Sequence, residues 1–267
     1  MALALAAGVV HAATRPEPSY VPGGKPDQAE GTRLLSQFRQ SGIAGTYWLS
    51  FELRVMPRKG EERTLNGQLY GTHRAEGPVT RLALEHDRWL IQAGPHSAAW
   101  TATPGQPART VTMAETVQPI AGTDLMLFDL QMPFLHWTDF VHEGVTKVRA
   151  RPAHQFILYP PADFAQARPE LAAVRIYLDT QFQALVQVEQ LGADGKPIKS
   201  MTLIDLKKVG EQWLVKSIDL RNAVTRDKTR LTFKAAALDL TLPTDAFSPE
   251  QLGEPLPLPP RDKLQGL

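Results

Sequence analysis

The 267-residue chain contains no cysteine, which removes disulfides, thiol nucleophiles, thiolate metal sites and a lipid-modified N-terminal cysteine at once. Burial alone must hold the fold together. Charge of one sign is also missing: the formal net charge is +1, with Lys and Arg interspersed among Asp and Glu, so no strong field points at nucleic acid or an anionic membrane. The basic cluster Arg54 to Arg63 is interrupted by Glu61 and Glu62 and reads as a solvated loop rather than a phosphate-binding patch. No apolar run approaches the ~20 residues that span a bilayer, and no internal repeat suggests a propeller or solenoid.

Catalytic patterns are absent too. His73, His86, His96, His136, His142 and His154 show neither His-x-x-x-His nor His-Glu-x-x-His spacing, so a metal site would need scattered histidines and carboxylates. There is no Gly-x-Ser-x-Gly elbow, P-loop or dinucleotide fingerprint. Paired carboxylates for sugar chemistry are a matter of spatial pairing, and nothing in the sequence selects a pair. The chain reads as non-enzymatic, with no cofactor and no metal.

What is present is a meander. Hydrophobic residues make up 43% of the chain, ample for a sizeable core. Residues 174–178, 185–189, 201–206, 213–218 and 230–235 are strand-like runs, joined by turn chemistry at Asp194-Gly195, Gly210-Glu211 and Arg226-Asp227-Lys228. In 46–56, Tyr47, Leu49, Phe51, Leu53 and Val55 alternate with Ser50, Glu52 and Arg54, while Trp48 breaks the polar face. Further strands are expected at 64–72, 79–84, 88–93, 97–101, 110–115 and 145–159. Asp27 and Glu30 form a capping-box pattern ahead of a helix that carries Leu34, Leu35 and Phe38 on one face and ends by Gly42. A second helical stretch, 124–137, is apolar almost all round. Residues 1–12 read as a signal-peptide remnant with cleavage after Ala12. Residues 13–26 read as a linker, 27–252 as the folded domain, and 253–267 as a Pro-rich extended tail outside the core.

These segments, in this order, resemble the outer-membrane lipoprotein-sorting family, periplasmic relatives of the lipoprotein carriers of the Lol system. The resemblance rests on the helix and long strands, 122–130, 175–179, the turn Asp194-Gly195-Lys196, 229–233, and the closing Leu242-Pro243-x-Asp245-x-Phe247. It departs at Met126 and Leu127, where many relatives carry aromatic and acidic residues. The resemblance implies a mainly β (α+β) fold, a strongly bent antiparallel sheet forming an incomplete barrel with helices over its concave face. It also implies a periplasmic carrier or sensor for lipid or lipoprotein acyl chains, served by an inner-membrane transporter or outer-membrane acceptor and binding no nucleic acid; a monomer is expected. An accessory binding module of an envelope complex, with the cavity filled by its own helix, is the competing reading.

On the carrier reading, Tyr47, Leu49, Phe51, Leu53, Val174, Ile176, Val186, Val188, Leu231 and Phe233 line a hydrophobic cavity. Leu125, Phe128, Phe134 and Trp137 act as its lid. Burial of hydrocarbon there contributes roughly 0.8 kcal/mol per methylene. Alternation alone does not distinguish a cavity wall from a filled core.

Overall fold

The computed structural model describes residues 15–21, 27–182 and 184–267. The expected signal segment, its cleavage site at Ala12 and part of the linker lie outside the described residues. Helix α1 (Gln28–Gln40) precedes β1 (Tyr47–Met56), β2 (Arg63–Arg74), β3 (Gly77–Leu84), β4 (Asp87–Gln92), β5 (Ala98–Ala102) and β6 (Arg109–Thr110). Short helices α2 (Met113–Thr116) and α3 (Leu127–Gln131) then lead to β7 (Phe140–Val148) and β8 (Arg151–Leu158). After α4 (Ala162–Ala167) come β9 (Ala173–Asp179), β10 (Leu185–Leu191), β11 (Pro197–Val209), β12 (Gln212–Asn222), β13 (Lys228–Ala237) and the short β14 (Gln265–Gly266).

All the strands belong to one antiparallel sheet in the order β6-β5-β4-β3-β2-β1-β13-β12-β11-β10-β9-β8-β7, with β14 added on β13. Two meanders of sequential hairpins are therefore joined by one long-range pairing, β1 with β13. Strands β6 and β7 end the series without pairing to each other, so the sheet does not close into a barrel. Residues 111–139 cross between those two ends.

Local chemistry sets the element boundaries. Asp27 caps α1 by accepting the N–H groups of Ala29 (2.9 Å) and Glu30 (3.1 Å), whereas Glu30 is engaged by Arg33 rather than completing the expected box. The run 145–159, expected as one strand, is cut by a turn at Arg149-Ala150 with φ of 49° and 68°. Two consecutive left-handed residues match the twist of a tight hairpin, but neither is the glycine or asparagine that would announce it. The expected strand at 110–115 ends at Thr110, because Thr112 and Glu115 form a reciprocal capping box that starts α2. The helix expected over 124–137 is only α3 plus a 3₁₀ turn at Pro133–His136. Proline cannot donate a backbone hydrogen bond and disfavours the helical region for its predecessor; Met132 instead closes α3 in the left-handed conformation, with φ 48°.

The outer face explains two further departures. Trp48, on the polar face of β1, is buried against Ala246, Phe247 and Leu252 and donates Nε1–H to Gln68 (2.9 Å). The Pro-rich tail, expected to stand outside the core, is docked here. Buried Arg81 on β3 donates to the carbonyls of Ala246 (2.8 Å), Gln251 (2.8 Å) and Glu254, while Tyr70 donates to the Pro257 carbonyl (2.9 Å). At the other end of the sheet, residues 15–21 run across the outer face. There Tyr159 donates to the Pro16 carbonyl (2.8 Å), and the buried Glu143 joins the Ser19 N–H to Arg175.

Candidate functional site

Apolar side chains on the inner face form two lobes. In the first, Leu49, Phe51, Leu53, Leu231 and Phe233 pack with Trp89 and Ile91, and Tyr47 lies at its margin. Phe51 and Tyr47 do not project freely inward: their rings lie across Gly67 and Gly71 of β2, where an added Cβ would sit 2.2 Å from a ring carbon in each case. Glycine opposite an aromatic lets the ring lie flat on the neighbouring strand. In the second lobe, Val174, Ile176 and Val188 pack with Leu34 and Leu35 of α1. Val186 falls outside both lobes. The register shifts between Leu185 and Gln187, and this bulge puts Leu185 against the second lobe instead.

The crossing segment covers both lobes. Leu125 and Leu127 enter the first, while Met126, Phe128, Phe134 and Trp137 enter the second. Thus the four residues expected as a lid are all buried and divided between the lobes. Phe128 is the hub of an aromatic cluster with ring centroids 5.6 Å from Phe134, 6.4 Å from Trp137 and 5.1 Å from Phe164. Phe164, on α4, carried no sequence signal, because only the fold brings α4 against α3.

A polar latch fastens this cover to the sheet. Asp129 and Lys199, both buried, form an ion pair. Asp129 also accepts the Gln190 Nε2–H (2.7 Å) and the Met126 N–H (2.9 Å). Lys199 donates to the Asp124 carbonyl, and Asn222 donates to the Asp124 carboxylate (3.0 Å). Gln190, Lys199 and Asn222 stand side by side on β10, β11 and β12. Two faint signals mark the latch in the sequence. Lys199 shares the inward phase of Met201, and Asp129 is a lone carboxylate within an apolar run.

Beside the cover lies a half-open cleft of about 590 Å³, within the usual 300–1,000 Å³ range of ligand sites. It runs from the turn between β4 and β5 to the segment between β8 and α4, with Gln131, Pro133 and Trp137 of the cover between them. Of the fourteen residues expected to form cavity or lid, only Trp137 lines it. His136 at its rim has its pKa lowered by burial and by the nearby Arg39. Among the described residues, no group of three or more metal-ligating side chains is assembled.

A protein-family model described as "Uncharacterized protein" matches residues 104–254, more than half of the chain and including the whole cover. The chain belongs to that family. No curated protein matches its sequence. Among solved structures, a domain from Vibrio parahaemolyticus assigned as an outer membrane lipoprotein-sorting protein is 14% identical, with TM-score 0.73, covering 85% of this chain and 100% of its own. A DUF1329 family protein from Desulfovibrio piger is 12% identical, with TM-score 0.72 over 84% of this chain and 98% of its own. A LolA superfamily protein from Nitrosomonas europaea is 11% identical, with TM-score 0.61 over the same shares, 84% and 98%. The fold is therefore LolA-like: mainly β, an unclosed antiparallel sheet with helices against one face.

Proposed function

We propose that the chain is a non-catalytic carrier or sensor that shelters lipid or lipoprotein acyl chains between the inner face of its sheet and the crossing segment. The observation that carries this reading is the nature of the cover. An extensive apolar wall is closed by residues 111–139, which have few regular backbone hydrogen bonds of their own, next to an open cleft. Such a cover can exchange its side chains for hydrocarbon on the same surface, so that a ligand with higher affinity for the open form shifts the population. The proposed setting is the periplasm of a Gram-negative envelope, with export by cleavage after Ala12. The protein acts as a monomer between an inner-membrane donor and an outer-membrane acceptor.

Organic extraction and mass spectrometry of protein purified from its native envelope test the reading. Acyl lipid at near-stoichiometric amounts is expected. Absence of lipid, together with no binding of an added acyl probe, would favour the accessory-module reading, in which the crossing segment is permanent filling.

A further inference from the structure

We propose that the cleft beside Trp137 is the port through which a hydrocarbon chain reaches the interior, and that it favours chains with an uncharged or cationic head over those with an anionic head. This rests on the carrier reading and adds to it a route and a ligand class.

The route follows from where the sheet fails to close. Between neighbouring strands, passage of a chain would require breaking ladder hydrogen bonds, each costly when left unmade. Between the two ends of the sheet there is no ladder to break, and the cleft lies there. It also touches both lobes. Ala99 and Val111 belong to the first lobe and Trp137 and Phe164 to the second, and all four line the cleft. Trp137 and Phe164 have ring centroids 5.5 Å apart, and Phe164 in turn abuts Phe128 at the centre of the cover. A chain that displaces the Trp137 ring therefore meets continuous apolar surface leading inward.

The head-group preference follows from charge. Among the described residues no lysine or arginine lines the cleft; its charged residues are Asp139 and Asp163. Asp139 is paired with Arg15 (2.6 Å), whose guanidinium lies 3.4 Å above the Tyr159 ring. Among the described residues Asp163 accepts only the Phe164 N–H (2.9 Å), so its charge is uncompensated at the rim. Burial, and then the nearby Arg39, lower the pKa of His136 and so disfavour its cationic form. Among the described residues, a phosphate or carboxylate head would meet the Asp163 carboxylate with no lysine or arginine in the lining, and the cation beside His136, Arg39, is turned to the Leu135 carbonyl (2.6 Å). An ester, amide, sugar or ammonium head meets no such penalty. For exposed charges the effect is small and screened by salt, on the order of two- to fivefold in affinity at low ionic strength.

The test uses the delipidated full chain with N-phenyl-1-naphthylamine, a neutral fluorescent probe, displaced by three amphiphiles of equal chain length below their micelle thresholds: tetradecyl maltoside, tetradecyltrimethylammonium and myristate. The maltoside and ammonium compounds are expected to displace the probe several-fold more effectively than myristate. Asp163→Asn should narrow that gap and Asp163→Lys should reverse it, both at an exposed position in the first turn of α4 where melting should fall by no more than roughly 4 °C. Ser97→Trp, at an exposed lining position, should slow probe uptake at least tenfold by narrowing the port. Equal or better displacement by myristate, or a gap indifferent to Asp163→Lys, overturns the head-group preference. Unchanged uptake in Ser97→Trp overturns the route. Both results leave the carrier reading standing, whereas a chain that binds neither the probe nor any amphiphile removes the carrier reading and this inference with it.

Discussion

Lys199→Met would remove the cation from a pair whose side chains are only 5% and 3% exposed. Methionine fills nearly the same volume, so the change is chiefly electrostatic. Asp129 would keep its bonds from Gln190 Nε2 and the Met126 N–H but would hold an uncompensated charge in the interior. Breaking a buried pair from one side typically costs about 3–5 kcal/mol, a large part of the roughly 5–15 kcal/mol that stabilises a domain. For a domain of this size that corresponds to a fall in Tm of roughly 6–20 °C. Adding Asp129→Asn should restore most of the loss. The neutral amide can still accept the Met126 N–H, and it can donate to Gln190 Oε1, a buried atom with no hydrogen-bond partner of its own, once the Gln190 amide turns over. A double-mutant cycle by urea unfolding is expected to show a coupling above about 2 kcal/mol, with hydrogen exchange in 124–131 accelerated in Lys199→Met and slowed again in the double variant. A single variant within about 1 kcal/mol of wild type, or strictly additive changes, would refute the idea that this pair fastens the cover.

Three further outcomes are expected. His142 Nδ1 lies 3.2 Å from the Asp27 carbonyl, which can only accept, and His154 Nδ1 lies 3.3 Å from His142 Nε2, so the neutral relay runs from His154 through His142 to the cap of α1. Burial, and then His142, lower the pKa of His154, which means that the undocked state binds the proton more tightly. Docking of α1 should accordingly be fully stable above the ordinary histidine pKa of about 6.5 and weaken as pH falls below it. Exchange of the Gln28–Gln40 amides at pH 7.5 and 5.5, corrected for intrinsic rates, checks this, and no pH effect in wild type, or the same effect in His154→Gln, would sink it. Gly31→Ala should destabilise by about 1–3 kcal/mol in thermal unfolding despite the better helix propensity of alanine, because its Cβ would lie 2.8 Å from His142 Cβ and 3.2 Å from Phe156 Cε1. Phe51→Asp, in the first lobe, should cost several kcal/mol, whereas Val186→Asp, at the bulge and outside both lobes, should cost less than about 1 kcal/mol; equal losses in urea unfolding would contradict the placement of Val186.

Two kinds of information divided the work. Period-two alternation, the turn residues at Asp194-Gly195 and Gly210, and the cap at Asp27 are local, so the sequence by itself determined a helix followed by antiparallel hairpins and the inward phase of Phe51, Ile176 and Phe233. Even locally it misled where the turn used ordinary residues, at Arg149-Ala150, and where one proline divided an apolar run at Pro133. The pairing of β1 with β13 joins residues far apart in the chain, and no local pattern encodes such a partner. That pairing brings the two meanders together and leaves β6 and β7 as open ends. The position of those ends decides where the cleft lies, that Phe164 meets Phe128, and that Asp129 finds Lys199. Whether an inward apolar face is wall or filled core is likewise tertiary. It depends on how much of residues 111–139 can be packed against the sheet, and a side chain's neighbours across space are set by topology rather than by its own neighbours in sequence.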